Sequence, residues 1–144
     1  MRLAVGSDER TPLTDLIVED LRARGHEVLL FGSLWEVPMS WAEVGRAVGL
    51  AVAARDCDQG VLLCWTSTGV SIAANKVAGV RVALCTDAAT AEGARRWNDA
   101  NVLCLSLRLT SEAIAKEMFD AWFAATVDES ERASIDRLDA YRSR

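Results

Sequence analysis

GVLLCWTSTGVSIAANK, residues 60–76, is the stretch whose reading decides the fold. Its first part, GVLLC, is apolar on successive positions, with no polar alternation, so it reads as a short strand buried on both faces. A turn of small hydroxyl residues follows, and Ser67 or Thr68 is placed to cap a helix that runs through Lys76. A doubly buried strand passing through a short turn into a helix is half of a parallel βαβ unit. The same rhythm extends both ways along the chain. Upstream, RLAVG (2–6) and EVLLF (27–31) read as strands. Between them Thr11 caps a helix with Pro12 at its first position, Leu13, Leu16, Ile17 and Leu21 form its stripe, and Gly25 stops it. Residues 41–54 are predicted helical with Val44, Val48, Ala51 and Val52 inward. Downstream, VRVALC (80–85) and NVLCLS (101–106) are strands. Asp87 caps a helix to about Trp97, and Thr110 or Ser111 caps one through Phe123. The expected fold is α/β: a three-layer, doubly wound, Rossmann-like sandwich around a five-stranded parallel sheet. Residues 1–127 form its single domain, and 128–144 form a polar helical tail suited to contact a partner subunit.

Bulk properties exclude several function classes. The 144 residues suit one domain, and 51% hydrophobic residues can build a core. A net charge of −5, with no cluster of lysines and arginines, argues against a nucleic-acid partner. No apolar run approaches the roughly 20 residues that cross a membrane. MRLAVGSD reads as a strand and loop rather than a signal peptide, so the expected location is cytoplasmic. Cys57, Cys64, Cys85 and Cys104 make no C-x-x-C pair, and one histidine, His26, cannot complete a Cys/His zinc cluster. No metal site is expected. The thiols read as reduced, Cys85 and Cys104 as core residues, and His26 as a solvent-facing turn residue.

Doubly wound folds bind ligands at the carboxyl ends of their strands. GSDER (6–10) brings Asp8 and Glu9 to that edge, and CWTSTG (64–69) brings Cys64, Thr66, Ser67 and Thr68 ahead of a helix N-terminus. Free backbone N–H groups and the positive end of a helix dipole suit a phosphate, a carboxylate or a developing oxyanion. The same dipole is expected to favour the thiolate of Cys64. The turn is neither a P-loop nor G-x-G-x-x-G.

VGSD (5–8), CxTxxGxSIAANK (64–76), GVRVALC (79–85) and WNDANVL (97–103) together resemble the ribose-5-phosphate isomerase B / galactose-6-phosphate isomerase family, over roughly residues 1–123. The resemblance implies aldose–ketose isomerisation through an enediolate, with no metal or cofactor. It implies a sugar or sugar-phosphate ligand and a homodimer, or a tetramer, with pockets shared between subunits. Position by position, Cys64 matches the base that moves the proton between C1 and C2, and Thr66 the hydroxyl beside it. Asp8 matches the acid near the ring oxygen. Asn98 matches a ligand of the sugar hydroxyls, and the amides of residues 65–70 match the oxyanion loop. Ser67, Thr68, Gly69, Ser71 and Lys76 lie in the matched segment and are candidate substrate contacts.

The departures are as informative. Glu9 stands where the family has histidine after the aspartate, and Trp97 where it has the ring-opening histidine. Trp65 and Ser67 replace the glycines of a C-G-T-G turn, and Ser40-Trp41-Ala42 aligns with D-Y-P. The phosphate-holding G-G-R-H has no clear counterpart in DESERASIDR, although Arg132 and Arg137 lie nearby. Trp41, Trp65 and Trp97 thus fall on pocket positions, while cationic contacts are lost. Indole faces stack on the apolar faces of sugars, so a less anionic or bulkier substrate is expected. An already acyclic substrate would need no ring-opening histidine, and Glu9 could serve as an acid. The competing readings are a non-catalytic sugar-binding or regulatory protein on the same scaffold, and an epimerase.

Overall fold

A computed structural model describes residues 1–141. Its strands are β1 (Arg2–Ser7), β2 (Glu27–Gly32), β3 (Gln59–Cys64), β4 (Val82–Leu84) and β5 (Val102–Ser106). Its helices are α1 (Pro12–Ala23), α2 (Trp41–Ala53), α3 (Thr68–Asn75), α4 (Ala88–Asn98), α5 (Glu112–Ala124) and α6 (Arg132–Ala140). All strand pairings are parallel, in the order β2-β1-β3-β5-β4. The chain first steps from β1 to β2 at one edge, then returns across β1 to lay down β3 on its other side. The strand order therefore reverses between β1 and β3, and a crevice opens between their carboxyl ends.

The strands alternate faces but are apolar on both. Leu3, Val5, Val61, Leu63, Leu103 and Leu105 pack beneath α1, α4 and α5 with Ile17, Leu21, Met118, Phe119 and Trp122. Ala4, Leu62, Val102 and Cys104 face α2 and α3, with Val44, Val48, Val70 and Ala74. These are the three expected layers. The two helices of the second face approach closely at Gly45, where a Cβ would lie 2.7 Å from the Val70 carbonyl oxygen.

Most helix starts follow the expected chemistry. Thr11 and Ser40 form capping boxes with Thr14 and Glu43, and Asp87 and Ser111 cap α4 and α5. Several expectations need correction. The inward face of α1 is Thr14, Ile17, Val18 and Leu21, while Leu16 is exposed. Apolar residues lie on more than one side of this helix, and packing on the sheet chose the Val18 side. β4 is only three residues long, Val82–Leu84, and pairs with β5 alone at one edge of the sheet. His26 is not solvent-facing but half-buried, its ring 4.5 Å from that of Phe123. Burial, then the nearby N-terminus and Arg24, push its pKa down.

The tail beyond residue 128 returns onto its own chain. The Asp128 N–H donates to the Arg96 carbonyl at 2.7 Å, Ile135 is buried, and Arg81 meets Asp139 at 3.2 Å. The last three residues of the expected tail lie outside the described residues.

Candidate active site

The crevice at the strand-order reversal holds the two residues that elementary chemistry singles out. Asp8 leaves β1 and Cys64 ends β3, and the Cys64 thiol donates to Asp8 Oδ2 at 3.6 Å. Asp8 Oδ1 is buried with no hydrogen-bond partner, in a fold that satisfies nearly all its buried polar atoms. Glu9 lies beside it, its N–H bonded to Ser7 Oγ at 3.3 Å.

The expected thiolate is overturned. Burial is the largest influence on the Cys64 thiol, the Asp8 carboxylate adds to it, and together they raise its pKa. The amides of Trp65 and Ser67 pull the other way and lose. The surroundings thus make the thiol less acidic than usual, and the Asp8 carboxylate accepts its hydrogen bond. Cys85 and Cys104, by contrast, are pushed up to about 12, chiefly by burial, and sit in the core as expected.

The turn after β3 is bolted from below. Ser67 sits at the N-cap of α3 in the left-handed region, φ 61°, and makes no capping bond. Its hydroxyl instead accepts from the Cys64 N–H at 2.9 Å and donates to the Leu105 carbonyl. It is fully buried. Ser67 was expected to contact substrate, and its side chain cannot; it fixes the backbone that carries Cys64. Trp65, by contrast, has no left-handed backbone, so its replacement of a glycine adds no strain at that position. The Trp65 carbonyl is clamped by Ser106 Oγ at 2.8 Å and by the Arg108 N–H at 3.0 Å. Thr66 and Thr68 share a hydrogen bond of 2.9 Å above this base. The Ser71 hydroxyl donates to the Thr68 carbonyl at 2.7 Å. The first turn of α3 leaves its amides without intrahelical acceptors, facing the crevice mouth.

Trp41, at the start of α2, lies on Gly69. A Cβ there would meet Trp41 Cε3 at 2.7 Å, so glycine is what lets the indole reach the turn. Trp41 is 48% and Trp65 56% exposed, so both indoles are partly open at this edge. Sequence reading missed three supporting groups: Ser106, Arg108 through its amide, and Ser33, whose hydroxyl donates to the Asp8 carbonyl at 2.8 Å. Ser106 and Ser33 carry one signal, a small hydroxyl recurring where strands end, and the Arg108 amide carries none.

The remaining candidates lie elsewhere. Helix α3 runs from the Cys64 turn toward the opposite, amino edge of the sheet, and Lys76 is its C-cap. Helix α4 also descends from the carboxyl edge and ends at Trp97 and Asn98, just before β5 begins. Lys76 borders an amino-edge cavity of about 450 Å³ together with Arg81 and Leu138. Asn98 borders a neighbouring one of about 350 Å³ that shares Arg81 and Leu138. Within one chain the structure brings Asp8, Glu9, Cys64, Thr66, Thr68, Gly69, Ser71, Trp41 and Trp65 to one end. It does not bring Lys76, Trp97 or Asn98 to them. Arg132 is already engaged by Glu129 at 3.0 Å and Asp99 at 3.6 Å. Among the described residues no group of three or more His, Cys, Asp or Glu could hold a metal ion, and no helix is long and apolar enough to cross a membrane.

Comparison with known proteins agrees with this geometry. Ribose-5-phosphate isomerase B of Escherichia coli is 39% identical over 109 residues, covering 76% of this chain and 73% of that one. D-erythrulose-4-phosphate isomerase of Pectobacterium atrosepticum is 33% identical over 128 residues, covering 87% and 84%. The solved ribose-5-phosphate isomerase B of Clostridium thermocellum superposes with a TM-score of 0.90 at 34% identity, over 97% of this chain and 96% of that one. The Ribose/Galactose Isomerase family matches residues 3–140. With its doubly wound sheet, its Asp8–Cys64 crevice and this match along nearly the whole chain, the protein belongs to the ribose/galactose isomerase family of aldose–ketose isomerases.

Proposed function

We propose that the protein interconverts an aldose and a ketose by Cys64-based proton transfer, on a substrate altered from ribose 5-phosphate and already acyclic. The observation that carries this reading is the Cys64–Asp8 contact of 3.6 Å at the strand-order reversal. Asp8 Oδ2 takes the thiol proton. The thiolate removes the proton from the carbon next to the carbonyl. The C–H electron pair becomes the enediolate double bond, and the carbonyl π pair moves onto oxygen. The amides at the start of α3 stabilise that charge. The Thr66 hydroxyl passes the proton between the two oxygens, and the Cys64 thiol returns its proton to the adjacent carbon. General acid–base help of this kind contributes roughly 10²–10⁴ in rate.

The substrate preference rests on the surroundings. Asp8 and Glu9 make the crevice negative, Trp41 and Trp65 flank it, and Trp97 takes the position of the ring-opening histidine. One relative is named for D-erythrulose 4-phosphate. A four-carbon ketose phosphorylated at its end has no hydroxyl placed to close a five- or six-membered ring. Isomerising such a substrate needs no ring-opening acid, and acyclic sugars of this type are the ligands we assign first.

The working unit is a homodimer. A second copy sets its amino edge, with Trp97, Asn98 and Lys76, against the Cys64 turn of the first. The wide exposure of Trp65 and Trp97 (56% and 52%) supports such a seam. The α6 tail, lying beside Asn98, then borders the partner as well. The protein would work in the cytoplasm.

The test is deuterium exchange at C1 or C2 in heavy water, followed by NMR, with phosphorylated and free aldoses and ketoses. Wild type should exchange deuterium into an acyclic ketose phosphate, and Cys64→Ala should be slower by at least about a thousandfold. Exchange that persists in Cys64→Ala removes the thiol from the mechanism. No exchange on any sugar, with ligands still quenching tryptophan fluorescence, makes the protein a binding module. A preference for ribose 5-phosphate over every other sugar removes the substrate assignment.

A further inference from the structure

The WNDAN segment (97–101) divides its residues between two tasks. Asn98 is exposed, and its side chain makes no hydrogen bond among the described residues. Asp99 and Asn101 are wholly engaged. Asp99 closes α4 in the left-handed region at φ 45°. A cap alone would be served as well by glycine or asparagine. The carboxylate does more: it meets Arg95 Nη1 at 3.1 Å, Arg81 Nη2 at 3.2 Å and Arg132 Nη1 at 3.6 Å. These arginines come from the last turn of α4, the approach to β4 and the start of α6. Arg81 also donates to the Asp99 carbonyl at 2.8 Å and to both oxygens of Asp139 near the end of α6, at 3.2 and 3.3 Å. Arg95 holds the Ala100 carbonyl at 2.6 Å. The Asn101 side chain accepts from the Arg81 N–H at 2.8 Å and donates to the Gly79 carbonyl at 2.9 Å. The backbone just after Asn98 is therefore fixed at three successive residues, and one carboxylate joins it to α6.

We propose that Asp99 is a positioning residue that holds Asn98 in place and couples that placement to the seating of α6. Three guanidiniums converge on it, and their side chains are 15%, 17% and 40% exposed. Without the charge they repel one another in a partly dry setting. The arginines move apart, α6 loosens at its start, and the α4 terminus loses the ties that aim Asn98. The proposal rests on the reading that Asn98 touches substrate; the α6 coupling does not.

The experiment uses Asp99→Asn in the full chain, which keeps the shape and the tolerance for a left-handed backbone but removes the charge. Amide hydrogen exchange should quicken in residues 132–140 by roughly tenfold, with β3 unchanged as an internal control. With D-erythrulose 4-phosphate, or ribose 5-phosphate as the second probe, KM should rise roughly tenfold while kcat stays within about threefold. In the Asn98→Ala background the same change should add little, because a residue acting through Asn98 has nothing left to position. Should Asp99→Asn fail to fold, Arg132→Gln removes the outer link, and Glu129→Gln, which cuts only the other partner of Arg132, is its control; α6 exchange should quicken more in Arg132→Gln, with KM unmoved. Unchanged exchange in α6 overturns the coupling. Full additivity with Asn98→Ala overturns the positioning role. A wild-type KM and ligand affinity in Asn98→Ala itself would sink the reading of Asn98 as a ligand and the positioning role with it, leaving the exchange result to decide the coupling.

Discussion

The two ends of the sheet handle their carboxylates in opposite ways. At the carboxyl edge Asp8 faces a thiol at 3.6 Å and has one buried oxygen with no partner. At the amino edge Asp99 is surrounded by three arginines. Even there one donor is left over, since Arg95 Nε is buried without an acceptor while its guanidinium stacks over Trp122 at 5.6 Å. A polar group left short of partners stores a demand that a ligand can meet, whereas a saturated one builds rigidity. On the function proposed above, the Asp8 end reacts and the Asp99 end holds. A working site on this reading needs both, and in one chain they lie at opposite edges.

The sharpest way to break this comparison is to separate the ends genetically. As homodimers, Cys64→Ala should be nearly inactive and Asn98→Ala strongly impaired at low substrate, though still measurable. Unfolding and refolding them together should restore about a quarter of wild-type exchange, because half the dimers are mixed and each carries one intact site of two. No recovery would mean that each chain works with its own residues alone.

A second change tests the floor of the reactive end. Ser67→Ala leaves the Cys64 N–H and the Leu105 carbonyl unpaired in the core and should cost ~2–3 kcal/mol, read by urea denaturation. Ser67→Gly should cost less, because glycine relieves the positive φ at this position by up to ~1 kcal/mol. Equal losses would show that strain there is negligible.

The smallest effect sharpens the Asp8–Cys64 pairing. The carboxylate holds the thiol pKa up, so the thiolate fraction grows only as pH rises above the ordinary thiol range. Asp8→Asn removes the like charge. The pH limb for alkylation of Cys64 by iodoacetamide should then move to lower pH, without a large change in stability. A limb that stays in place would leave burial as the sole cause.

Legibility in the sequence followed the range of the interactions. Thr11-Pro12, Asp87 and Ser111 announced their helices because capping acts within a few residues. The doubly apolar strands announced a parallel sheet because burial on both faces leaves no polar alternation. Asp8, Cys64 and Thr66 were legible as chemistry, since their types stand at strand ends. The inward side of α1 was not, because Leu16 and Val18 are equally apolar and only contact with the sheet selects between them. Nor was the state of Cys64: the local dipole argued for a thiolate, and a carboxylate 56 residues away argued successfully against it. The burial of Ser67 was likewise hidden, since its acceptor Leu105 is 38 residues distant.

The sequence by itself determined the layers and most helix starts, which follow from local periodicity and residue type, while its motifs carried the family resemblance and marked Cys64 as the candidate base. Only the tertiary structure decided that β3 returns beside β1, that Asp8 therefore faces Cys64, and that Asn98 lies at the far edge. Those outcomes depend on strand order and helix direction, which arise from packing between segments distant along the chain.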